Sequence, residues 1–260
     1  MPAVALTIAG SDPSGGAGIQ ADLKTFHQFG VYGEAVLTLI TVQNTTAVTR
    51  VECLHPRLVQ EQLEAVLADI PPMAAKTGAL GNLAIVETVA DAARDFGFPL
   101  VVDPVMISKH GAPLVSEESG QAIRNKLLPL AFLVTPNLDE AAALTGLEIR
   151  SVEDMRLAAW RLCELGAKAA LVKGGHLEDT ATDVLFSGKV WTEFPAEVIR
   201  TPHTHGTGCT YSAAITAELA RGTELVTAVS RAKRFITEAI RSNPGLGRGV
   251  GPVNHFAAVL

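Results

Sequence analysis

Short apolar runs that stop at turn residues alternate along this chain with longer amphipathic stretches, and no other feature limits its fold as strongly. Val4–Ala9 precedes Ile19–Phe29, Ala35–Thr41 precedes Leu58–Ile70, Leu100–Asp103 precedes Gln121–Leu130, and Phe132–Thr135 precedes Asp139–Leu144. A strand buried on both faces reads as a continuous apolar run, and a parallel neighbour needs a crossover helix, so this order predicts an α/β protein with a mostly parallel sheet between helices. Leu58, Leu63, Val66, Leu67 and Ile70 return to one side at the helical period, which marks Arg57–Ile70 as a helix against that sheet. Farther on, Ala169–Lys173, Asp183–Phe186 and Val190–Phe194 read as strands, the last two as a hairpin around Ser187-Gly188-Lys189. Two helices follow, Cys209–Arg221 and Leu225–Ser242. With no linker, repeat or low-complexity tract, residues 1–260 read as one domain.

Ligands of open parallel sheets bind beyond the carboxyl ends of the strands. The polar and glycine-rich segments of this chain fall there: Gly10–Gly18, Gln43-Asn44, Lys76-Thr77-Gly78, Asp103-Pro104-Val105, Thr135-Pro136-Asn137 and Lys173-Gly174-Gly175-His176. So many polar loops on one rim predict a site.

His203-Thr204-His205-Gly206-Thr207-Gly208-Cys209-Thr210 leads into an Ala-rich helix. Small residues admit a ligand to the backbone, and first-turn N–H groups without helical partners point at an anion, so Gly206, Thr207 and Gly208 suit a phosphate. The same field lowers a thiol pKa, which makes Cys209 a candidate thiolate base for a hydroxyl. Equally, Gly208 caps a turn and Cys209 is a small buried hydrophobe. Asn137-Leu138-Asp139-Glu140 has capping-box spacing, and its oxygens also suit the neighbourhood of a hydrated Mg²⁺ beside nucleotide phosphates. Asp103 adds a carboxylate to that rim, or else satisfies loop amides. Gln43 can donate and accept in one plane, as an aminopyrimidine edge requires, or form a turn with Asn44. Lys173 can reach a phosphate from its strand end or lie solvated.

Several function classes lose support. Gly10 and Gly15 have phosphate-loop spacing, but Gly16 follows where Lys is needed. Gly16-Ala17-Gly18 begins a dinucleotide pattern, yet Ala35–Val42 carries no acidic residue at its end for a ribose. A net charge of −6 argues against coating a nucleic acid. Cys53, Cys163 and Cys209 are too scattered for a disulfide framework or a zinc site, which fits a reducing compartment. Met1–Ile8 lacks a basic leader and no apolar run reaches about 18 residues, so a soluble cytoplasmic protein is expected.

Leu6–Phe26, Val42–Thr45, Thr135-Pro136-Asn137 with Glu140-Ala141, Lys173–His176, Thr204–Thr210 and Gly249–Val253 together resemble the hydroxymethylpyrimidine and phosphomethylpyrimidine kinases of thiamin biosynthesis, in the ribokinase-like superfamily. The resemblance implies a three-layer α/β/α fold with a mostly parallel central sheet. It implies ATP-dependent phosphorylation of 4-amino-5-hydroxymethyl-2-methylpyrimidine and then of its monophosphate, with Mg²⁺ and a homodimer. Carried onto this sequence, Cys209 takes the hydroxyl proton or orients the hydroxyl, and the Gly206–Cys209 amides stabilise the transferred phosphoryl. Gln43 reads the pyrimidine edge, with Gly10, Ala17, Asp22 and Val105 around it. Asn137, Thr207, Lys173 and Lys233 lie toward the nucleotide, and Asp103 and Glu140 hold Mg²⁺ through water. Ala79 stands where many relatives carry Met, which implies looser pyrimidine packing, and Asn254-His255 stands where many have His-His. A pyridoxal or pyridoxine kinase is the alternative on this fold, and a non-catalytic pyrimidine-binding regulator the alternative outside enzymes.

Overall fold

The computed structural model describes residues 2–106, 116–175 and 180–259. Its sheet contains β1 (Val4–Ser11), β2 (Tyr32–Gln43), β3 (Val48–Cys53), β4 (Ala74–Thr77), β5 (Leu100–Val102), β6 (Leu133–Val134), β7 (Ala169–Val172), β8 (Asp183–Ser187) and β9 (Val190–Phe194). The order is β3-β2-β1-β4-β5-β6-β7-β8-β9. β2, β1, β4, β5, β6 and β7 run parallel, while β3, β8 and β9 add antiparallel pairs at the two sides.

The helices are α1 (Gly18–Gln28), α2 (Pro56–Asp69), α3 (Leu83–Ala93), α4 (Glu117–Ala122), α5 (Leu138–Thr145), α6 (Val152–Glu164), α7 (Thr207–Ala220) and α8 (Leu225–Arg241). The alternation of β1 shows how they are divided. Leu6 and Ile8 enter the core beneath α2, α3, α5 and α6, whereas Ala5 enters the other core with α1, α7 and α8. Both faces of the parallel strands are covered, which is the three-layer α/β/α arrangement expected.

The chain departs from expectation where local chemistry intervenes. The helix expected over Gln121–Leu130 is the short α4 followed by a π turn, Ile123–Leu127, and a 3₁₀ turn, Leu128–Leu130, in which Pro129 has no N–H to donate. β3, α3 and α6 form where the sequence analysis placed no element. His55 caps α2 by accepting from the Arg57 amide. His110 and His176 lie outside the described residues.

From β1 the chain passes to β2 on one side and then returns to β4 on the other, so the topological switch lies where β1 and β4 end. The register shifts there: Ala9 and Ser11 pair with Leu37 and Ile40, so β2 carries one extra residue opposite Gly10. The β2–β3 hairpin projects beside this point and is held from behind by residues 245–253. The amides of Gly249 and Val250 donate to the Thr45 hydroxyl and carbonyl, at 3.3 and 2.7 Å. Gly247 and Gly249 lie so close to Thr45 that a Cβ on either would fall 2.4 and 2.1 Å from it.

Candidate active site

A cavity of about 630 Å³ opens at the switch point. Gly10, Ala17, Gln43, Ala79 and Val105 line it together with the Gly206–Cys209 turn. Asp103, Asn137, Glu140, Lys173 and Lys233 reach the same space, and Val198, Ile236 and Ile240 give it an apolar slot between the chain after β9 and α8. The predicted site residues therefore share one cavity, apart from Asp22.

Asp22 is wholly buried on α1 behind that wall. Both its carboxylate oxygens lie 2.9 Å from the Lys76 ammonium at the end of β4, and the Thr7 hydroxyl donates to it at 2.6 Å. This corrects its expected role as a substrate contact: Asp22 is paired with Lys76 and is absent from the lining of the cavity. Burial opposes charge on both groups, raising the Asp22 carboxyl. For Lys76 burial is the largest single effect, but Asp22 together with the neighbouring Cys209 and Asp103 outweighs it and holds the ammonium above the usual lysine range. We read the pair as ionised because its two short contacts satisfy both charges.

α7 begins at Thr207, earlier than expected, which places Cys209 in its first turn. Gly206 caps the helix with φ of 78° and packs against the first glycine loop so closely that a Cβ would lie 1.7 Å from the Gly16 carbonyl. Only glycine fits both the left-handed backbone and that contact. The Thr207 amide donates to the Thr204 carbonyl at 3.3 Å, whereas Gly208 and Cys209, in the first turn of α7, line the cavity where helix N-terminal amides suit an anion.

The state of the thiol overturns an expectation. Burial pushes Cys209 up to about 12; the Lys76 charge opposes that shift, whereas Asp22 and Asp103 add to it. Cys209 is thus a neutral thiol here, because loss of water outweighs the helix N-terminus.

Across the floor, Asp103 accepts from Lys173 at 3.1 Å, from the Thr135 hydroxyl at 3.3 Å and from Ser212 at 3.2 Å. Asn137 and Glu140 complete the capping box of α5, each side chain accepting from the other's amide at 2.9 and 2.8 Å. Burial raises Glu140 to about 7, with Asp103 adding to the shift and Lys173 opposing it. Lys233 pairs with Asp183 at 2.7 Å and donates to the Ala181 carbonyl, while Asp183 also accepts from the Gly174 amide. Among the described residues no three His, Cys, Asp or Glu side chains converge on one point. The Asp103 and Glu140 carboxylates that reach the cavity are compatible with a hydrated Mg²⁺ carried chiefly by phosphate oxygens, and among the described residues there is no closed protein cage.

Two groups of this region escaped the sequence analysis. Lys76 belongs to the polar segment expected at a strand exit, yet it sits inside β4 and is wholly buried, and nothing in its neighbours announces a buried charge. Asp12 accepts from the amides of Ser14, Gly16 and Ala17 and from the ring of His205, so it belongs to the wall between the two glycine segments.

Residues 12–254 match the family described as phosphomethylpyrimidine kinase. The chain is 48% identical over 260 residues to a hydroxymethylpyrimidine/phosphomethylpyrimidine kinase of Staphylococcus aureus strain MSSA476, covering 98% of this chain and 94% of the relative. It also resembles the pyridoxal kinase of Bacillus subtilis solved as an ADP complex, with a TM-score of 0.91, 42% identity and coverage of 99% and 98%. The phosphomethylpyrimidine kinase of Clostridium difficile 630 gives a TM-score of 0.82 at 44% identity, covering 92% of this chain and 99% of that one. No described helix is long and apolar enough to cross a membrane.

Proposed function

This chain belongs to the phosphomethylpyrimidine kinase family, and on that premise we propose how its cavity performs ATP-dependent phosphorylation of hydroxymethylpyrimidine and of the resulting monophosphate in thiamin biosynthesis. The observation that carries the reading is that the amide turn of α7 opens into the same cavity as Gln43 and the apolar slot of α8. The pyrimidine lies against Gly10, Ala17 and Val105 with its amino edge on Gln43, and the purine of ATP occupies the slot beside Ile236 and Ile240. In each step an acceptor oxygen forms a bond to the γ-phosphorus and the bond from that phosphorus to ADP breaks; the hydroxyl of the first step gives up one proton, whereas the phosphate dianion of the second has none to give.

The protein's part is placement and charge. The Gly208 and Cys209 amides hold the transferring group, and Lys173 and Lys233 balance phosphate charge from the nucleotide side. A neutral Cys209 orients the acceptor hydroxyl, whose proton leaves as the new bond forms. Asp103 and Glu140, through water, would hold Mg²⁺, which supplies neutralising charge to the phosphates. We read residues 1–260 as one cytoplasmic domain that pairs as a homodimer.

Pyridoxal is a second acceptor on this reading, favoured by the small Ala79 in the same cavity as Gln43 and by the likeness to a pyridoxal kinase. Incubation with Mg·ATP and hydroxymethylpyrimidine, with pyridoxal in parallel, followed by mass measurement of the products, tests both. Sequential mono- and diphosphates of the pyrimidine are expected. Product from pyridoxal alone would reassign the acceptor, and no product from either would favour a binding protein without catalysis.

A further inference from the structure

We propose that Asp12 and His205 form a latch that sets the distance between the acceptor and the transferred phosphoryl group. The proposal rests on the kinase reading above, because each loop it joins serves one reactant. The first loop supplies Gly10 and Ala17 to the acceptor end; the second supplies the anion hole of α7.

Asp12 is almost without solvent exposure, and its carboxylate is the hub of the first loop. One oxygen accepts from the amide and hydroxyl of Ser14 at 2.8 and 2.7 Å. The other accepts from the amides of Gly16 and Ala17 at 3.1 and 2.8 Å, and lies 2.8 Å from Nε2 of His205. Burial alone would raise this carboxyl, but His205 and Ser14 outweigh it and hold Asp12 at about 2. The hub is therefore ionised at neutral pH.

His205 precedes Gly206, so its position fixes where α7 starts. Its amide donates to the Gly251 carbonyl at 2.9 Å and its own carbonyl accepts from Val253 at 3.3 Å, which leaves the ring as the part directed at the first loop. The fit is tight on both sides: a Cβ on Gly16 would lie 2.6 Å from the His205 ring, and one on Gly206 would strike the Gly16 carbonyl. Such a pair need not touch either substrate. It is a positioning device, and a shift of about 1 Å between reacting groups costs on the order of 10²-fold in rate.

His205→Ala, His205→Gln, Asp12→Asn and the double variant Asp12→Asn/His205→Ala test it, each first checked for folding by circular dichroism and thermal melting. The readouts are kcat and KM for acceptor and ATP, and the ratio of phosphoryl transfer to ATP hydrolysis without acceptor, using whichever acceptor the wild-type enzyme takes. Transfer should fall roughly tenfold or more in His205→Ala while the KM for ATP changes little, and hydrolysis should take a larger share. His205→Gln, which keeps a donor within reach of Asp12, should recover most of the transfer. The double variant should be no worse than the poorer single one, since each single change already breaks the Asp12–His205 contact.

Unchanged transfer in folded His205→Ala, additive losses in the double variant, or a Gln variant as poor as Ala would each overturn the latch. If His205→Ala does not fold, His205→Gln and Asp12→Asn decide: an unchanged ratio of transfer to hydrolysis in folded Asp12→Asn would overturn it. A wild-type chain without kinase activity would instead refute the functional reading.

Discussion

Replacing Lys76 by Met keeps the length and apolar stem of the side chain and removes its charge. In the folded protein this strands the Asp22 carboxylate, wholly buried, with the Thr7 hydroxyl as its remaining side-chain partner. Removing one partner of a buried ion pair costs roughly 3–5 kcal/mol, because the survivor keeps its desolvation and loses its counter-charge. At about 2.1 cal/mol/K per residue, a chain of 260 residues has an unfolding entropy of about 0.55 kcal/mol/K. The melting temperature should therefore fall by roughly 5–9 °C. Adding Asp22→Asn removes the stranded charge while leaving an acceptor for Thr7, so the double variant should lose only about 1–3 kcal/mol, or roughly 2–5 °C. Scanning calorimetry without ligand measures this directly, since a ligand that binds only the folded state would mask the loss. A Lys76→Met melting point within about 2 °C of wild type, or a double variant less stable than the single one, would refute the ionised-pair assignment.

Three further outcomes follow from the site and one from the sheet margin. Cys209→Ala should lower kcat on the order of 10²-fold through loss of acceptor orientation, with Cys209→Ser intermediate; a near-normal rate would show that the thiol only lines the cavity. Because burial pushes this thiol up to about 12, its alkylation by iodoacetamide, followed by peptide mass, should still be rising at pH 10. Gln43→Ala should raise the KM for the pyrimidine while leaving that for ATP nearly unchanged, and equal increases in both would remove Gln43 from the acceptor end. Burial, with Asp69 nearby, raises Glu34 from 4.5 to about 6, so the contribution of the protonated folded form is complete below pH 4.5 and is lost as pH rises through 6. Glu34→Gln should thus melt higher than wild type at pH 8 but show no such advantage at pH 4; an equal gain at both values would exclude the titration as its source.

Much of this architecture can be read without coordinates because the buried parallel strands are apolar runs and their exits are polar. β1, β2, β7, β8 and β9 fall close to where those runs lie, and the Asn137–Glu140 capping box forms as its spacing indicates. The omissions have a common physical origin. β3 is an antiparallel addition whose residues are mostly half-exposed or exposed, so it lacks the apolar run that announces a core strand. Lys76 and Asp22 are polar residues in fully buried places, and their partnership spans 54 positions of sequence. The acidity of Cys209 depended on two opposing effects, a helix terminus visible in the sequence and a depth of burial that only the packed chain defines.

The grip of residues 245–253 on the rest of the molecule also fixes when the acceptor pocket can exist. Thr45, at the hairpin that carries Gln43, meets Gly249 across 204 positions, and the backbone of His205 is held by Gly251 and Val253. A ribosome releases the first strands early, and they can pair as they emerge. Both walls of the pocket must nevertheless wait for the stretch near residue 250. A partly synthesised chain therefore lacks the contacts that brace both walls of the cavity, and the finished cavity belongs to a chain translated beyond that point.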